Sequence, residues 1–482
     1  MKNANSSRSW PSTHARRRQR GQALIFGIFV LAAGLASLLY VFNAGQLIHD
    51  KGKLVNAADA AAYSGGLMQA RALNYAAYTN RALLANEMTV AQTVGLTSWL
   101  RFQSRHAQMA NLFGCRTPWN LPVSDTFLRY APLCMALAWS EPAITSISNQ
   151  VNVVAPGVIA GVEASKVLLQ AAQANMMIRM VAGGRHRVMQ EVASANFAGD
   201  GQVDVDTIPL QDGFFLFEGA PVLRVVPNNQ RNRFAAVAVQ SASQDRFNNN
   251  RNWRDRSLLP SCVGINGFRF NRVERAGGTN LIGFDEWKAV DSASRYSFRM
   301  RKGRCVENSE QVIAGGQSAA FRTNDAEFND TNAFGRSRAI NPRASRSAFS
   351  TREWQAYRGL PNFMSLSNAA LSYTPEQADV NRRNLTLRLS IRVTRRPSEI
   401  RNAEGRSLVR STGQRAYGIN DYRGAPMRGQ YAAVATSEVF FDRPTARADG
   451  RTELPNEFNP FWQVRLVRSD AAIAAATALQ MN

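Results

Sequence analysis

From Ala23 to Phe42 the chain reads ALIFGIFVLAAGLASLLYVF, twenty positions without a charge. At a helical rise of ~1.5 Å per residue such a run covers about 30 Å, the depth of a bilayer's hydrocarbon core, and it predicts a transmembrane helix. Beyond it the apolar positions turn from continuous to periodic. Leu54, Ala58, Ala61, Gly65, Met68, Ala72, Tyr75, Thr79 and Ala82 alternate steps of four and three, the repeat of a helical seam lined by small side chains. No proline falls between Pro11 and Pro118, so the span (23–42) is predicted to continue into an Ala-rich helical stalk (43–114). Gly65 and Gly66 together cost about 2 kcal/mol of helix propensity and predict a bend.

Pro118, Pro122 and Pro132 end that helix near Gly114 and open a Pro-containing loop with a second helical block (115–199). Inside it, Tyr130 to Trp139 is apolar but too short to span a membrane, and reads as a buried core piece. The helical stretch Ala143 to Phe197 is predicted to break at Pro156 and at Gly183 and Gly184. Its Val162, Val167, Leu168, Met176, Met177, Ile178 and Met180 offer a face to lie against the first helix. Near Gly199 the Ala-rich pattern gives way to Asn, Arg, Gly, aromatics and short alternating runs, a domain boundary. Phe214 to Val226 and Tyr431 to Phe441 read as strands. The clearest strand is 385–393, with Leu385, Leu387, Leu389, Ile391 and Val393 on one side and Thr386, Arg388, Ser390 and Arg392 on the other. Residues 244–256 and 335–352 read as long polar loops. A final helix over 469–482 starts at Ser469 or Asp470 as cap. The fold class is α+β: a tail (1–22), a span with its stalk, and a β-rich extracytoplasmic domain (200–468) closed by a helix.

Charge adds orientation to this picture. The residues before the span carry Lys2, Arg8, Arg16, Arg17, Arg18 and Arg20 and no acid. Positive charge beside a first span holds that end in the cytoplasm, which puts the bulk of the chain across the membrane in a single pass. A cleaved signal peptide has the same basic-then-apolar order, but its apolar core is about 7–15 residues long. This one is longer, and NAGQLIHDKGKL after Phe42 is a poor cleavage site; the reading is a retained anchor. The six cations of the tail leave +17 of the formal +23 on the rest of the chain. That excess points to acidic glycan, lipid or protein as outer partners. Nucleic acid is excluded as a partner by the topology, and RRRQR at 16–20 reads as the topological signal.

Cys115, Cys134, Cys262 and Cys305 all fall on the outer side, where disulfides persist. Four cysteines allow three pairings, and local pairing of 115 with 134 and 262 with 305 is the expectation. A loop of ~20 residues closed in this way adds about 3 kcal/mol in the chain-entropy model. Catalytic chemistry finds no foothold. The four histidines, at 14, 49, 106 and 186, stand in no metal-binding spacing, and GxSxG, P-loop and CxxC motifs are missing. Asp291-Ser292-Ala293-Ser294-Arg295 approximates a von Willebrand-type Asp-x-Ser-x-Ser metal site, but the serine positions hold Ala293, which cannot ligate, and Arg295, which repels a cation. Acidic pairs such as Asp204 with Asp206 read as solvated turns. No cofactor is called for and the chain reads as non-enzymatic.

One resemblance adds to this reading. The run from Arg20 through the span to Asn56-Ala57-Ala58-Asp59-Ala60-Ala61-Ala62 and Gly65 resembles the N-terminus of TadG-like proteins of the TadE/TadG family, which serve tight-adherence (Flp) pilus assembly. FNPFWQVRL at 458–466 is similar to a segment of some members. The resemblance implies a bitopic inner-membrane protein related to minor pilins, with other pilus-assembly or secretion-platform proteins as partners. It makes Asn56, Ala57, Ala58, Asp59, Ala61, Ala62 and Gly65 the candidate helix-packing interface. The pilin-processing glutamate expected five residues after Gly21 is replaced by Phe26, so the span reads as a permanent tether. A membrane-tethered module that holds acidic envelope polymers is the alternative.

Overall fold

The computed structural model describes residues 22–112, 125–227, 230–249, 251–254, 272–322, 351–354, 356–371, 385–396, 401–402, 405–406, 431–451 and 453–481. One helix organises all of it. α1 runs unbroken over Gln22–Leu112, 91 residues and roughly 137 Å at ~1.5 Å per residue. The apolar segment that opens it, 23–42, has no buried residue, with Leu24, Phe26, Phe29 and Leu38 facing outward. Its remainder is the central element of the folded part.

On one side of α1 the chain returns antiparallel as α2 (Asp125–Arg179). Ser104 meets Thr145, Asn86 meets Ser165 and Thr79 meets Gln173. The π-helical turn Met180–Gly184, with Gly183 at φ +83°, redirects the chain into α3 (Arg185–Asn196). The predicted break at Gly183 and Gly184 is thus present, whereas α2 continues through Pro156, whose ring lies on the exposed side. Tyr130 to Trp139 belongs to α2; Leu137 and Ala138 are buried but Trp139 is 69% exposed. The face predicted to meet the first helix is also divided. Val162 and Met180 are buried, Met176 and Met177 lie against the core, and Val167, Leu168 and Ile178 point to solvent.

The rest of the chain forms β1 (Asp204–Asp212), β2 (Leu223–Val226), α4 (Asn232–Gln244), α5 (Arg246–Asn249), β3 (Trp253–Arg254), β4 (Arg272–Ile282), β5 (Glu286–Arg301), β6 (Arg304–Phe321), β7 (Thr351–Trp354), β8 (Phe363–Leu366), α6 (Asn368–Leu371), β9 (Thr386–Arg395), β10 (Arg401–Asn402), β11 (Gly405–Arg406), β12 (Tyr431–Phe441), β13 (Trp462–Val467) and α7 (Asp470–Met481). Two sheets share one side of α1. The nearer to the span is antiparallel in the order β1-β9-β12-β13. The farther has the order β3-β4-β5-β6-β7, antiparallel apart from the β6–β7 pair. Small ribbons β2-β8 and β10-β11 complete the strands.

The nearer sheet presents Leu389, Ile391 and Val393 from β9 and Ala433 and Ala435 from β12 to α1. Leu385, Leu387, Val439 and Trp462 continue the contact farther along the helix. The alternation read at 385–393 is this pleat: one side buried on α1, the other bearing Arg388 and Arg392. Beyond Leu83 the helix passes to the farther sheet, where Val90 and Val94 share a core with Trp287, Ala289 and Ala320. The buried stripe follows a true helical period, so Ala76 takes the place that the seam assigned to Tyr75, which is 39% exposed. Strict seven-residue spacing drifts ~20° per heptad on a straight helix, enough to carry Tyr75 off the buried side after three repeats.

Candidate membrane anchor and helix-packing interface

Ala23 to Phe42 is the longest uncharged apolar run of α1, and none of it is buried. The helix therefore contains a segment long and apolar enough to cross a membrane. Arg16, Arg17, Arg18 and Arg20 lie outside the described residues.

The seven residues singled out beside the span occupy different environments. Ala57, Ala58, Ala61 and Ala62 are fully buried, packed between Met189 and Ala193 of α3 and the β9–β12 surface. Their small side chains bring the helix axis close to the sheet. Gly65 and Gly66 extend this: a Cβ on Gly65 would lie 2.5 Å from Met189 Sδ and 2.7 Å from Leu389 Cδ2, and one on Gly66 would lie 2.6 Å from Ser437 Oγ. The glycine pair buys close approach within an unbroken helix, and no interruption of α1 occurs there. Asn56 is exposed and Asp59 half-buried. Asp59 lines an open cleft of about 330 Å³ with Thr436, Leu466, Ser469 and Ile473, and burial pushes its carboxyl above the usual range.

Farther along, polar side chains of α1 bind the loops that follow. Asn74 exchanges two hydrogen bonds with the Trp462 backbone, at 2.9 and 3.0 Å, and Asn80 donates to the Met364 and Glu457 carbonyls. FNPFWQVRL is thereby fixed on the helix, and Phe458 stacks with Phe363. Glu87 is fully buried. Its carboxylate accepts from Lys166 Nζ (2.9 Å), Trp287 Nε1 (2.8 Å) and Tyr357 Oη (2.7 Å). Lys166 also donates to the Gly359 carbonyl and pairs with Glu163. Burial first, and then the Glu87 charge, hold the Tyr357 hydroxyl well above its ordinary pKa.

A second buried ion pair joins α1 to the farther sheet. Asp291 accepts from Arg251 Nε at 2.8 Å and Nη2 at 3.0 Å, and from Ser98 Oγ at 2.7 Å. The residue that opened the metal-like sequence is thus tied to a guanidinium. Gly277 leaves the room, since a Cβ there would fall 2.2 Å from Asp291 Oδ1. His106 is buried near Arg275; burial, and then the Arg275 charge, lower its pKa to about 4. Among the described residues no group of three or more His, Cys, Asp or Glu is placed to hold a metal. Cys305 is disulfide-bonded; Cys115, Cys262 and the side chain of Cys134 lie outside the described residues.

Residues 21–72 match the model of a family described as putative Flp pilus-assembly TadE/G-like. Over this segment the chain is similar to that family. No curated protein and no solved structure matches the chain. The TadE/G-like segment ends at Ala72, so it comprises the span and the part of α1 that rests on β9 and β12, and leaves the farther sheet outside. The Glu87 and Asp291 networks were not singled out from sequence. One signal was available for the first: Glu163 and Lys166 are the only charged residues between Glu141 and Arg179, a solitary pair of opposite sign at the i,i+3 spacing.

Proposed function

We propose that the chain is a non-enzymatic, minor-pilin-like component of a Flp/Tad-type pilus assembly system, anchored in the bacterial inner membrane with its N-terminus in the cytoplasm. The observation that carries this reading is the TadE/G-like match over 21–72, which covers a helix that is at once the apolar span and the start of the folded core. Such a helix fixes the outer part at a set height above the membrane, which suits an element that acts by contact. The saturated Glu87 and Asp291 carboxylates act as internal ties, since each is fully buried and accepts from several donors.

Deletion of the gene, with a plasmid copy as control, is expected to abolish surface Flp-type pili; wild-type pili on the deletion strain would refute the role. The envelope-binding alternative has less support. Arginines on the outer side of the nearer sheet are committed to acids, Arg388 and Arg465 to Glu438 and Arg392 to Asp206. Orientation is tested separately with alkaline phosphatase fused after Asn482, which is expected to be active in whole cells.

A further inference from the structure

The exposed side of α2 carries an uncharged heptad seam. Glu163 and Lys166, the only charged residues between Glu141 and Arg179, both turn inward, Lys166 to Glu87 and Glu163 to Lys166. Outward, Ile147, Val154, Gly161 and Leu168 recur every seven residues, interleaved with Gln150, Gly157, Ala164, Ala171 and Ile178, and all are exposed. The seam runs over four heptads within one exposed side of α2, and because seven-residue spacing drifts ~20° per heptad on a straight helix, pairing along its length takes a left-handed supercoil. Large residues stand on both sides of its centre, Val154 at 60% and Leu168 at 71% exposure, with Ile178 at its end at 65%. A Cβ at Gly157 or Gly161 would meet nothing within 4 Å, so among the described residues these positions are uncovered.

We infer that this seam pairs with the same seam of a second copy of the chain. Three observations choose that occupant. The outer part carries a net charge of +17, so two copies repel through most surfaces, whereas this strip brings no like charges together. Next, α2 is fixed along α1, and α1 leads into the span. Two copies anchored in one membrane therefore stand parallel at equal height, and each seam position meets its own counterpart, as a two-fold interface requires. Finally, Gln150 is an exposed polar seam position that meets its own counterpart in this register, a device that sets register in coiled coils. The proposal rests on the anchoring reading and is independent of the pilus role.

The test uses the full-length protein in its native membranes. Ala164→Cys is expected to give an oxidation-dependent disulfide dimer of twice the monomer mass, above the wild-type background. Ala195→Cys, exposed on α3 away from the seam, is expected to give none. Adding Leu168→Glu or, separately, Ile178→Glu to Ala164→Cys should lower the dimer fraction at least about tenfold, because like charges then face each other. Both positions are exposed, so protease resistance should match wild type. Absence of a dimer at position 164 in the membrane fraction overturns the pairing, as does a crosslinked product of another mass or a dimer unchanged in both glutamate variants. Recovery of the chain outside the membrane fraction overturns the anchoring, and with it the parallel register.

Discussion

Glu87 illustrates how individual residues hold this molecule together. Its carboxylate binds side chains from α2, β5 and the loop after β7, so three separate stretches of chain converge on one group. Glu87→Ala would take the acceptor from the Trp287 N–H and the Tyr357 hydroxyl in the core and leave Lys166 with only Glu163 and the Gly359 carbonyl. It is expected to cost about 3–5 kcal/mol, the range for one partner lost from a buried pair, read as a lowered unfolding midpoint in detergent. His106 gives a pH dependence of known sign. Its folded pKa of about 4 lies below the ordinary value of 6.5, so the unfolded chain binds more protons between those values. Stability therefore falls as pH drops from about 6.5 toward 4, by up to roughly 3 kcal/mol. Unfolding midpoints should show this slope in the wild type and a flatter one in His106→Leu. For the cysteines, non-reducing peptide mapping is expected to join Cys305 to Cys262 and Cys115 to Cys134.

At the scale of elements, contact between α1 and the sheets depends on missing side chains. A Cβ on Gly316 of β6 would lie 2.3 Å from the Ser98 carbonyl oxygen and 2.5 Å from the Phe102 nitrogen, backbone atoms with no rotamer to yield. Gly316→Ala is expected to destabilise by about 1–3 kcal/mol through overpacking. Gly52, on α1 with nothing within 4 Å, should instead gain up to about 1 kcal/mol on conversion to Ala. Comparison of the two midpoints separates close approach from helix propensity. The same chemistry decided what the sequence revealed. Leu385 to Val393 alternates large apolar with polar side chains and was legible as a strand, as was Tyr431 to Phe441. Ser469 caps the last helix as read, accepting from the Ala472 amide. The long strands β4, β5 and β6 escaped notice because many of their buried positions are polar or small, Thr279 in β4, Lys288, Asp291 and Ala293 in β5, and Ala314, Gln317 and Ser318 in β6, which makes a weak strand signal. Likewise Ala58 and Ala61 were legible as a packing surface, while the identity of what covers them, the chain's own sheet, depends on contacts far apart in sequence.

For the whole molecule, helical and β-rich parts divide in sequence near Gly199 and interlock in space. A chain stopped at residue 199 would bare Leu73, Leu83, Val90 and Val94, which the sheets and their loops cover. It is expected to be degraded in cells, with pulse-chase lifetimes well below that of the full chain. No joint separates the span from this core, because α1 is continuous from one to the other. Seventy residues lie between Phe42 and Leu112, about 105 Å of helix. A tilt of ~20°, average for a membrane helix, carries the far tip sideways by roughly 36 Å. The helix is therefore a lever, and small changes in how the span sits among its lipid and protein neighbours become large displacements at its outer end.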